Sequence, residues 1–224
     1  QPAPAWFLPL ALRCRFAQLE TQAAGGAGER RMREQVAITE VGPRDGLQNA
    51  HGRMPTAAKR RWIRALAEAG LRSIEVGSFV PPRLIPQMAD TDEIVRDAIT
   101  IPGLRVVALV PNLRGAEAAY AAGAHAITIP VSASEAHSRA NTNKSPDEQV
   151  AELGRIVAWV RAQARPMAVE GGISTAFGCS MMGVVPVAQV VHVADGLARA
   201  GVDAVALCDT VGYAHPALVH ETVR

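Results

Sequence analysis

The sequence has few cysteines, few aromatic residues and no long apolar run. Its three cysteines, Cys14, Cys179 and Cys208, are odd in number and far apart, which argues against a disulfide framework and fits a reducing compartment. Aromatic residues make up 4% of the chain, too few for platforms on which nucleic-acid bases stack. No run of about 18 apolar residues is present, so we expect no transmembrane helix.

Neither sign of charge dominates the chain. The net charge is +2 over 224 residues, which gives no electrostatic reason to expect nucleic acid or an acidic membrane as a partner. The six histidines are scattered and include no His-x-His pair, so histidine spacing indicates no metal site. With 49% hydrophobic residues, the chain can still form one large core.

Residues 1–32 differ from the rest of the chain, and we interpret them as an N-terminal extension or leader. They show no helical or strand period that continues into residues 33–224, and their arginines and scarce acids resemble an organelle transit peptide. The interpretation that we favour is an upstream extension, with translation starting at Met32 and a cytoplasmic protein. A location in the mitochondrial matrix follows if residues 1–31 are a transit peptide.

From Val36 onward, apolar segments with strand character alternate with segments of helical spacing. The predicted strands are VAITEV, SIEVG, RVVALVP, AITIPV, PMAVEGGIS and DAVALCDT. Helices are predicted over residues 56–69, 91–99, 112–122, 145–163 and 186–200, with another starting at residue 216. Six strand–helix units of roughly 30 residues each predict an α/β protein with a parallel sheet. The near-continuous apolar strands predict burial on both faces.

Two folds compete for this pattern, the eight-unit barrel and the open doubly wound sheet. Polar residues follow all six predicted strands: Arg44 and Asp45, Glu75 with Ser78, Asn112, Ser132 and Ser134, Ser174 and Thr175, and Asp209 with Thr210. In a barrel all these strand ends face one mouth, whereas an open sheet uses mainly the loops near its switch point. We therefore predict a (β/α)8 TIM barrel that is incomplete here, with about six of the eight units.

The stretch EVGPRDGLQNA, Glu40 to Ala50, places an arginine and an aspartate directly after the first predicted strand. A guanidinium at this position can polarise a carbonyl or hold an enolate oxygen. The neighbouring carboxylate can bind a hard divalent cation. A solvated ion pair in a surface turn is an alternative of equal weight, since charged turns are common.

Two further acids belong to apolar strands, and one long polar segment follows a third strand. Glu75, inside RSIEVGSF, must be paired or hydrogen-bonded; it can orient Arg44, help to transfer a proton, or form a structural ion pair. Asp209, in LCDTVG, can accept a proton, hold Arg44, or cap the following segment. The segment from Ala133 to Ser145 is predicted to be a loop that either covers a ligand or is simply solvated.

At EVGPRDGLQN the sequence resembles the 3-hydroxy-3-methylglutaryl-CoA lyase family, a branch of the barrel superfamily that also contains isopropylmalate and homocitrate synthases. The resemblance continues through AGLRSIEVGSFVPPRLIPQMADTDEI, LVPNLRGAEAAYAAGA, SASEAHSRANTNKS, AFGC and LCDTVGYAHP, to about His220. It implies that residues 33–224 are a lyase-type TIM-barrel catalytic domain, pyruvate carboxyltransferase-like, truncated before strands 7 and 8 of the barrel.

The resemblance implies a metal-dependent retro-Claisen cleavage of 3-hydroxy-3-methylglutaryl-CoA to acetyl-CoA and acetoacetate, late in leucine degradation. The cofactor would be a divalent cation, Mg²⁺ or Mn²⁺, and the partner a small-molecule acyl-CoA, with no nucleic acid or membrane; a homodimer is an allowed assembly. The implied roles are these: metal ligand, Asp45; catalytic residues, Arg44, Glu75 and Asp209; substrate-binding residues, Arg44, Gln48 and Ser78.

The resemblance also implies residues that this sequence does not contain. In the family, a His-x-His pair on the seventh strand, an asparagine near the eighth and a cysteine between them complete the site, and we expect these positions to lie beyond Arg224. The chain alone is therefore expected to be inactive. Two alternatives stay open: a noncatalytic truncated paralogue that binds a partner chain, and a lyase for a related 3-hydroxy-3-alkylglutaryl-CoA.

Overall fold

The computed structural model describes residues 36–223 together with the two-residue strand β1, Arg15–Phe16. Strand β1 pairs antiparallel with the beginning of β2, Ala37–Glu40. Apart from β1, the predicted leader and the predicted start at Met32 lie outside the described residues.

The described residues after β2 alternate between strands and helices. The strands are β3 Ser73–Ser78, β4 Arg105–Leu109, β5 Ala126–Ser132, β6 Ala168–Ser174 and β7 Ala204–Leu207. The helices are α1 Thr56–Glu68, α2 Thr91–Ala98, α3 Leu113–Ala122, α4 Glu135–Thr142, α5 Pro146–Arg161, α6 Val187–Ala200 and α7 Pro216–Val223. A π-helical turn covers Gly42–Gly46, and a 3₁₀ turn covers Pro86–Met88. No helix in this described part is both long and apolar enough to cross a membrane.

Strands β2 to β7 form one parallel sheet in chain order. Each strand is joined to the next by a connection that contains a helix, as parallel neighbours require. The sheet curls into part of a TIM barrel, with its helices on the outer face. The predicted α/β class and the partial barrel are therefore confirmed.

Alternate residues of each strand face either the helices or the barrel interior. In β5, Ile127 and Ile129 belong to the apolar core shared with the helices, so Thr128 between them faces the interior. In β6, Val169 belongs to the same core, and Glu170 therefore faces the interior. The interior face of the sheet thus carries polar side chains on at least these two strands.

Several helix ends follow capping residues that the sequence predicts. Asn112 caps α3, since its Oδ1 accepts a hydrogen bond of 3.0 Å from the Gly115 N–H. Ser145 and Glu148 form the predicted capping box at the start of α5. Gly123 ends α3 in the left-handed region, with φ at 95°, where a residue without Cβ is favoured.

The prediction of a loop between Ala133 and Ser145 is wrong, because most of this segment is helix α4. The Ser134 hydroxyl accepts a hydrogen bond of 3.2 Å from the His137 N–H at its start. One turn on, Arg139 Nε donates to Glu135 at 2.8 Å. Helix α4 lacks the apolar stripe that reveals a helix in a sequence. Its cap and this exposed ion pair stabilise it instead.

The predicted burial of strands on both faces holds for β3 but is wrong for β2. All six residues of β3 are buried, whereas Ala37 and Ile38 of β2 are exposed. Strand β2 lies at the margin of the parallel strands, where fewer elements cover it. Its role is to carry the turn that follows it.

Candidate active site

The site begins at the π-helical turn that follows β2. Two backbone N–H groups, those of Arg44 and Asp45, donate to the Val41 carbonyl at 3.1 and 2.7 Å. A Cβ at Gly42 would lie 2.8 Å from Glu40 Oε1 and would displace this carboxylate, which accepts a hydrogen bond from the Gly42 N–H. The turn therefore fixes the backbone from which the predicted arginine and aspartate project.

Arg44 connects two carboxylates of different exposure. Its Nε and Nη2 both lie 2.8 Å from Glu75 Oε2, and its Nη1 lies 2.7 Å from Asp45 Oδ1. The exposed fractions of the side chains are 15% for Arg44, 4% for Glu75 and 30% for Asp45. Arg44 is therefore not a solvated group of a surface turn, and its guanidinium plane is fixed from the side of β3.

Two side-chain acceptors of the predicted site are buried without a hydrogen-bond partner. They are Oε1 of Glu75 and Oε1 of Gln48, both in residues that the sequence assigned to the site. Buried polar atoms are normally paired, so each of these two oxygens can accept a hydrogen bond from a bound hydroxyl group. The arrangement can therefore orient the guanidinium of Arg44 and offer acceptors for a hydroxyl group.

Ser78 and Asp209 form hydrogen bonds mainly with the residues that follow them in the chain. Ser78 is buried; its Oγ accepts from the Val80 N–H at 3.3 Å, and its carbonyl accepts from Thr91 Oγ1 at 3.0 Å. Asp209 accepts from the N–H groups of residues 213 and 214 at 2.9 and 3.2 Å. These bonds fit the capping alternative for Asp209, and its part in proton transfer stays a prediction.

The described residues do not on their own fit a bound Mg²⁺ or Mn²⁺ ion. Among residues 36–223 and the two residues of β1, no group of three or more His, Cys, Asp or Glu side chains is placed to hold a metal. Asp45 offers one carboxylate, and Arg44 already binds its Oδ1. Mg²⁺ requires about six oxygen ligands in octahedral geometry, so Asp45 can be one ligand at most.

A second polar cluster lies where β5 ends. From the sequence, Ser132 and the polar segment from Ala133 to Ser145 were named, but not this pairing, because the helix that forms there was not predicted. Ser132 Oγ is hydrogen-bonded to His137 Nδ1, and the side-chain amide nitrogen of Asn141 lies 2.9 Å from His137 Nε2. His137 and Asn141 are four residues apart, so they are neighbours on one face of a helix. A correct prediction of α4 would therefore have revealed their pairing.

We expect the imidazole of His137 to titrate below the ordinary histidine value of about 6.5, because burial lowers its pKa. The unfolded chain then binds this proton more readily, so the free energy of unfolding falls as the pH drops below about 6.5. NMR titration of the ring protons measures the pKa. The exposed His192, located by the His192→Gln variant, serves as a signal for comparison. A pKa of His137 at or above about 6.5 would contradict the burial argument.

Comparison with known proteins identifies the family of this chain. A family model described as HMGL-like matches residues 35–224. The chain belongs to the HMGL-like family. The mitochondrial hydroxymethylglutaryl-CoA lyase of Mus musculus is 40% identical over 188 residues, which cover 84% of this chain and 57% of that protein. Hydroxymethylglutaryl-CoA lyase YngG of Bacillus subtilis is 40% identical over 190 residues, covering 85% and 62%.

Solved structures agree with the HMGL-like assignment. The HMG-CoA lyase of Bacillus subtilis has a TM-score of 0.80 at 37% identity, over 84% of this chain and 63% of that chain. A lyase from Acinetobacter baumannii, in complex with coenzyme A and 3-methylmalate, has a TM-score of 0.78 at 33% identity, over 84% and 60%. This HMGL-like chain thus spans about three fifths of its relatives' length, and the Arg44–Glu75 pair lies within the matched family region.

Proposed function

We propose that the complete gene product containing this HMGL-like chain is a carbon–carbon lyase that cleaves 3-hydroxy-3-methylglutaryl-CoA to acetyl-CoA and acetoacetate. The observation that carries the proposal is Arg44, fixed by buried Glu75 and by Asp45 directly after β2. The names of the relatives support the reaction, and the relative bound to coenzyme A supports an acyl-CoA ligand.

The reaction is a retro-Claisen cleavage. The 3-hydroxyl group of the substrate loses its proton, and the bond between C3 and the methylene beside the thioester breaks. Its electron pair moves into the thioester as an enolate, while C3 becomes the ketone of acetoacetate. The enolate carbon then takes up a proton and gives acetyl-CoA. The protein must therefore accept one proton, stabilise one developing negative charge and return one proton.

Arg44 is the group that stabilises the developing charge. A guanidinium remains protonated throughout the working pH range, so its charge is present at every stage of the reaction. Its contacts with Glu75 and Asp45 exist before substrate binds, which removes the cost of orienting it during the reaction. The low exposure of its side chain weakens screening by water and strengthens its attraction for the enolate oxygen.

Proton transfer and substrate contacts are assigned to the remaining predicted residues. Glu75, through its unpartnered Oε1, and Asp209 handle the proton, while Gln48, whose Oε1 is also unpartnered, accepts a hydrogen bond from the substrate. Ser78 shapes the end of β3, where its hydroxyl accepts from the Val80 N–H, and it contacts the substrate from there. A cytoplasmic location and a homodimer belong to the same proposal; cell fractionation and the solution mass test them.

The resemblance implies Mg²⁺ or Mn²⁺, which would supply Lewis-acid stabilisation of oxygen, and we propose Asp45 as one ligand. Because the described residues form no complete ligand set, the 224-residue chain alone is expected to bind Mn²⁺ only in the millimolar range, on the order of the weakest oxygen sites. Electron paramagnetic resonance of free Mn²⁺ measures this affinity, with the Asp45→Asn variant as control. Submicromolar binding would contradict the expectation. The chain alone is expected to release no acetoacetate.

The experiment that tests the function is an assay of the purified complete gene product with 3-hydroxy-3-methylglutaryl-CoA and Mg²⁺. The expected result is formation of acetoacetate and acetyl-CoA in equal amounts. A higher kcat/KM for a substrate with a longer 3-alkyl group would favour the related lyase instead. Absence of cleavage with every such thioester would overturn the proposal and favour the noncatalytic alternative.

A further inference from the structure

Thr175 has a backbone conformation that threonine rarely adopts. Its φ is 59°, in the left-handed region, where a branched Cβ is crowded and glycine is favoured. The residue directly follows β6, and its exposed fraction is 0%. Strained backbone of this kind persists only where the surrounding structure holds it, and it is concentrated at functional sites. The contacts that hold Thr175 are therefore a guide to its role.

The hydroxyl group of Thr175 joins the end of β6 to the connection that follows β5. Its Oγ1 accepts a hydrogen bond of 3.1 Å from the Ser134 N–H and donates one of 2.6 Å to the Ser174 carbonyl. Ser134 is the cap of α4. A glycine would adopt the same φ without strain, but it could form neither bond. The turn alone therefore does not require threonine, whereas the link to α4 requires a hydroxyl group.

The backbone of Thr175 makes a further link, to the residues that follow β7. Its N–H donates a hydrogen bond of 2.7 Å to Thr210 Oγ1. Thr210 directly follows Asp209, whose carboxylate accepts from the N–H groups of Tyr213 and Ala214. Because the carboxyl ends of the strands face the barrel mouth, Thr175 links three successive strand ends there, those of β5, β6 and β7.

We propose that Thr175 is a positioning residue that holds Asp209 in place through Thr210. Its side chain has no exposed surface, so it acts through its hydrogen bonds and not by touching the substrate. The bonds of the Thr175 hydroxyl group hold the strained φ, and this φ in turn directs the backbone at the Thr210 contact. The link is a property of this chain, whereas its effect on catalysis rests on the proposed lyase function, in which Asp209 handles a proton.

The first test is amide hydrogen exchange of this 224-residue chain, followed by NMR. Thr175→Val keeps the branched shape but removes the acceptor of the Ser134 N–H. The Ser134 amide should then exchange about tenfold faster, the effect of losing one ordinary hydrogen bond. The Ala133 amide donates to the Ser174 carbonyl at 2.9 Å and should change little. Equal acceleration of both amides, or of neither, would overturn the link to α4.

The second test follows Asp209 in the same chain. The amide signals of Tyr213 and Ala214 report on its carboxylate, because both N–H groups donate to it. Thr175→Val should shift these two signals, since the strained backbone can relax and the contact with Thr210 weakens. Thr175→Ser keeps the hydroxyl group and should leave the signals close to those of the wild type. Unshifted signals in the valine variant would overturn the positioning of Asp209.

Two further variants separate the parts of this link. Thr210→Val removes only the acceptor of the Thr175 N–H, so it should shift the two reporter amides and leave Ser134 exchange unchanged. Thr100→Val is the matched control, because Thr100 is exposed and its hydroxyl donates to the Asp97 carbonyl. It should change none of these signals. Reporter shifts of equal size in Thr100→Val and Thr175→Val would overturn the link.

Kinetics of the complete gene product test the effect on catalysis. Thr175→Val should lower kcat by about ten- to a hundredfold with little change in KM, and Thr175→Ser should keep kcat within a few-fold of wild type. The pH profile of kcat should also move in the valine variant, because Asp209 handles the proton. Equal kcat values in the two variants, or an unchanged profile, would overturn the role. If the valine variant does not fold, Thr210→Val decides: a lowered kcat is expected, and a wild-type kcat overturns the role.

The two proposals fail in distinguishable ways. The expected amide changes in a protein without lyase activity would leave the link standing and remove the proposed function. An active lyase in which Thr175→Val leaves the amides of Ser134, Tyr213 and Ala214 unchanged would remove the link and leave the function standing.

Discussion

Replacing Arg44 by lysine in the complete gene product is expected to lower kcat for 3-hydroxy-3-methylglutaryl-CoA cleavage by about a hundred- to a thousandfold, the usual effect of losing one preorganised charge-stabilising group. Lysine keeps the positive charge but has one nitrogen in place of a planar fork. It cannot bind Glu75 through two nitrogens and Asp45 through a third, as Arg44 does. Steady-state assay of acetoacetate formation measures the loss, and KM should change little.

Arg96→Lys is the matched control for this substitution. Arg96 is exposed and pairs with Asp92 one helical turn away, at 2.9 Å. In the sequence it is well separated from Arg44. Its replacement should leave kcat and KM unchanged. A kcat for Arg44→Lys within about tenfold of wild type would contradict the role given to the guanidinium, because tenfold is only about 1.4 kcal/mol of transition-state stabilisation.

Replacing Asp90 by alanine is expected to lower the free energy of unfolding by about 3–5 kcal/mol, the cost of leaving a buried charge without its partner. The charge is that of Lys59, whose side chain is 4% exposed and whose Nζ lies 2.6 Å from Asp90 Oδ1. The lysine also donates to the Gln87 carbonyl, and Asp90 accepts from Thr56 Oγ1 at 2.7 Å. These bonds join the start of α1 to the start of α2.

Urea denaturation of the chain measures this loss. Asp92→Ala is the control, since Asp92 forms an exposed pair with Arg96 and exposed pairs contribute little. The midpoint should fall strongly for Asp90→Ala and hardly at all for Asp92→Ala. Equal midpoints for the two variants would mean that Lys59 finds water or another partner when Asp90 is removed.

The parts of the fold that the sequence predicted are those governed by short-range signals. Strand and helix alternate at a spacing that local composition reveals, and the caps at Asn112 and Ser145 are local hydrogen bonds. Helix α4 was missed because its polar residues form a cap and an exposed ion pair, not an apolar stripe. The exposure of β2 was missed because burial of a strand depends on its neighbours in the sheet, which periodicity does not report.

The candidate site was predictable to the extent that burial imposes chemistry on single residues. An acid inside an apolar strand needs a partner, which singled out Glu75, and Arg44 lies after the preceding strand. The same rule applies to Glu170 in VEGGIS and would have found it. Its partner was not predictable, because Arg105 lies 65 residues away in the chain. The two residues come together only because β4 and β6 lie in the same sheet and both side chains point to the same face.

The measurement that tests the central claim most directly is exchange of deuterium into the methyl group of acetyl-CoA. The complete gene product would be incubated with acetyl-CoA, acetoacetate and Mg²⁺ in D₂O, and the acetyl methyl signal followed by NMR. Exchange requires the thioester enolate but no net cleavage. We expect exchange well above the buffer rate, reduced about a hundredfold or more in Arg44→Lys. Exchange at the buffer rate, or equal exchange in the variant, would contradict the claim that Arg44 stabilises this enolate.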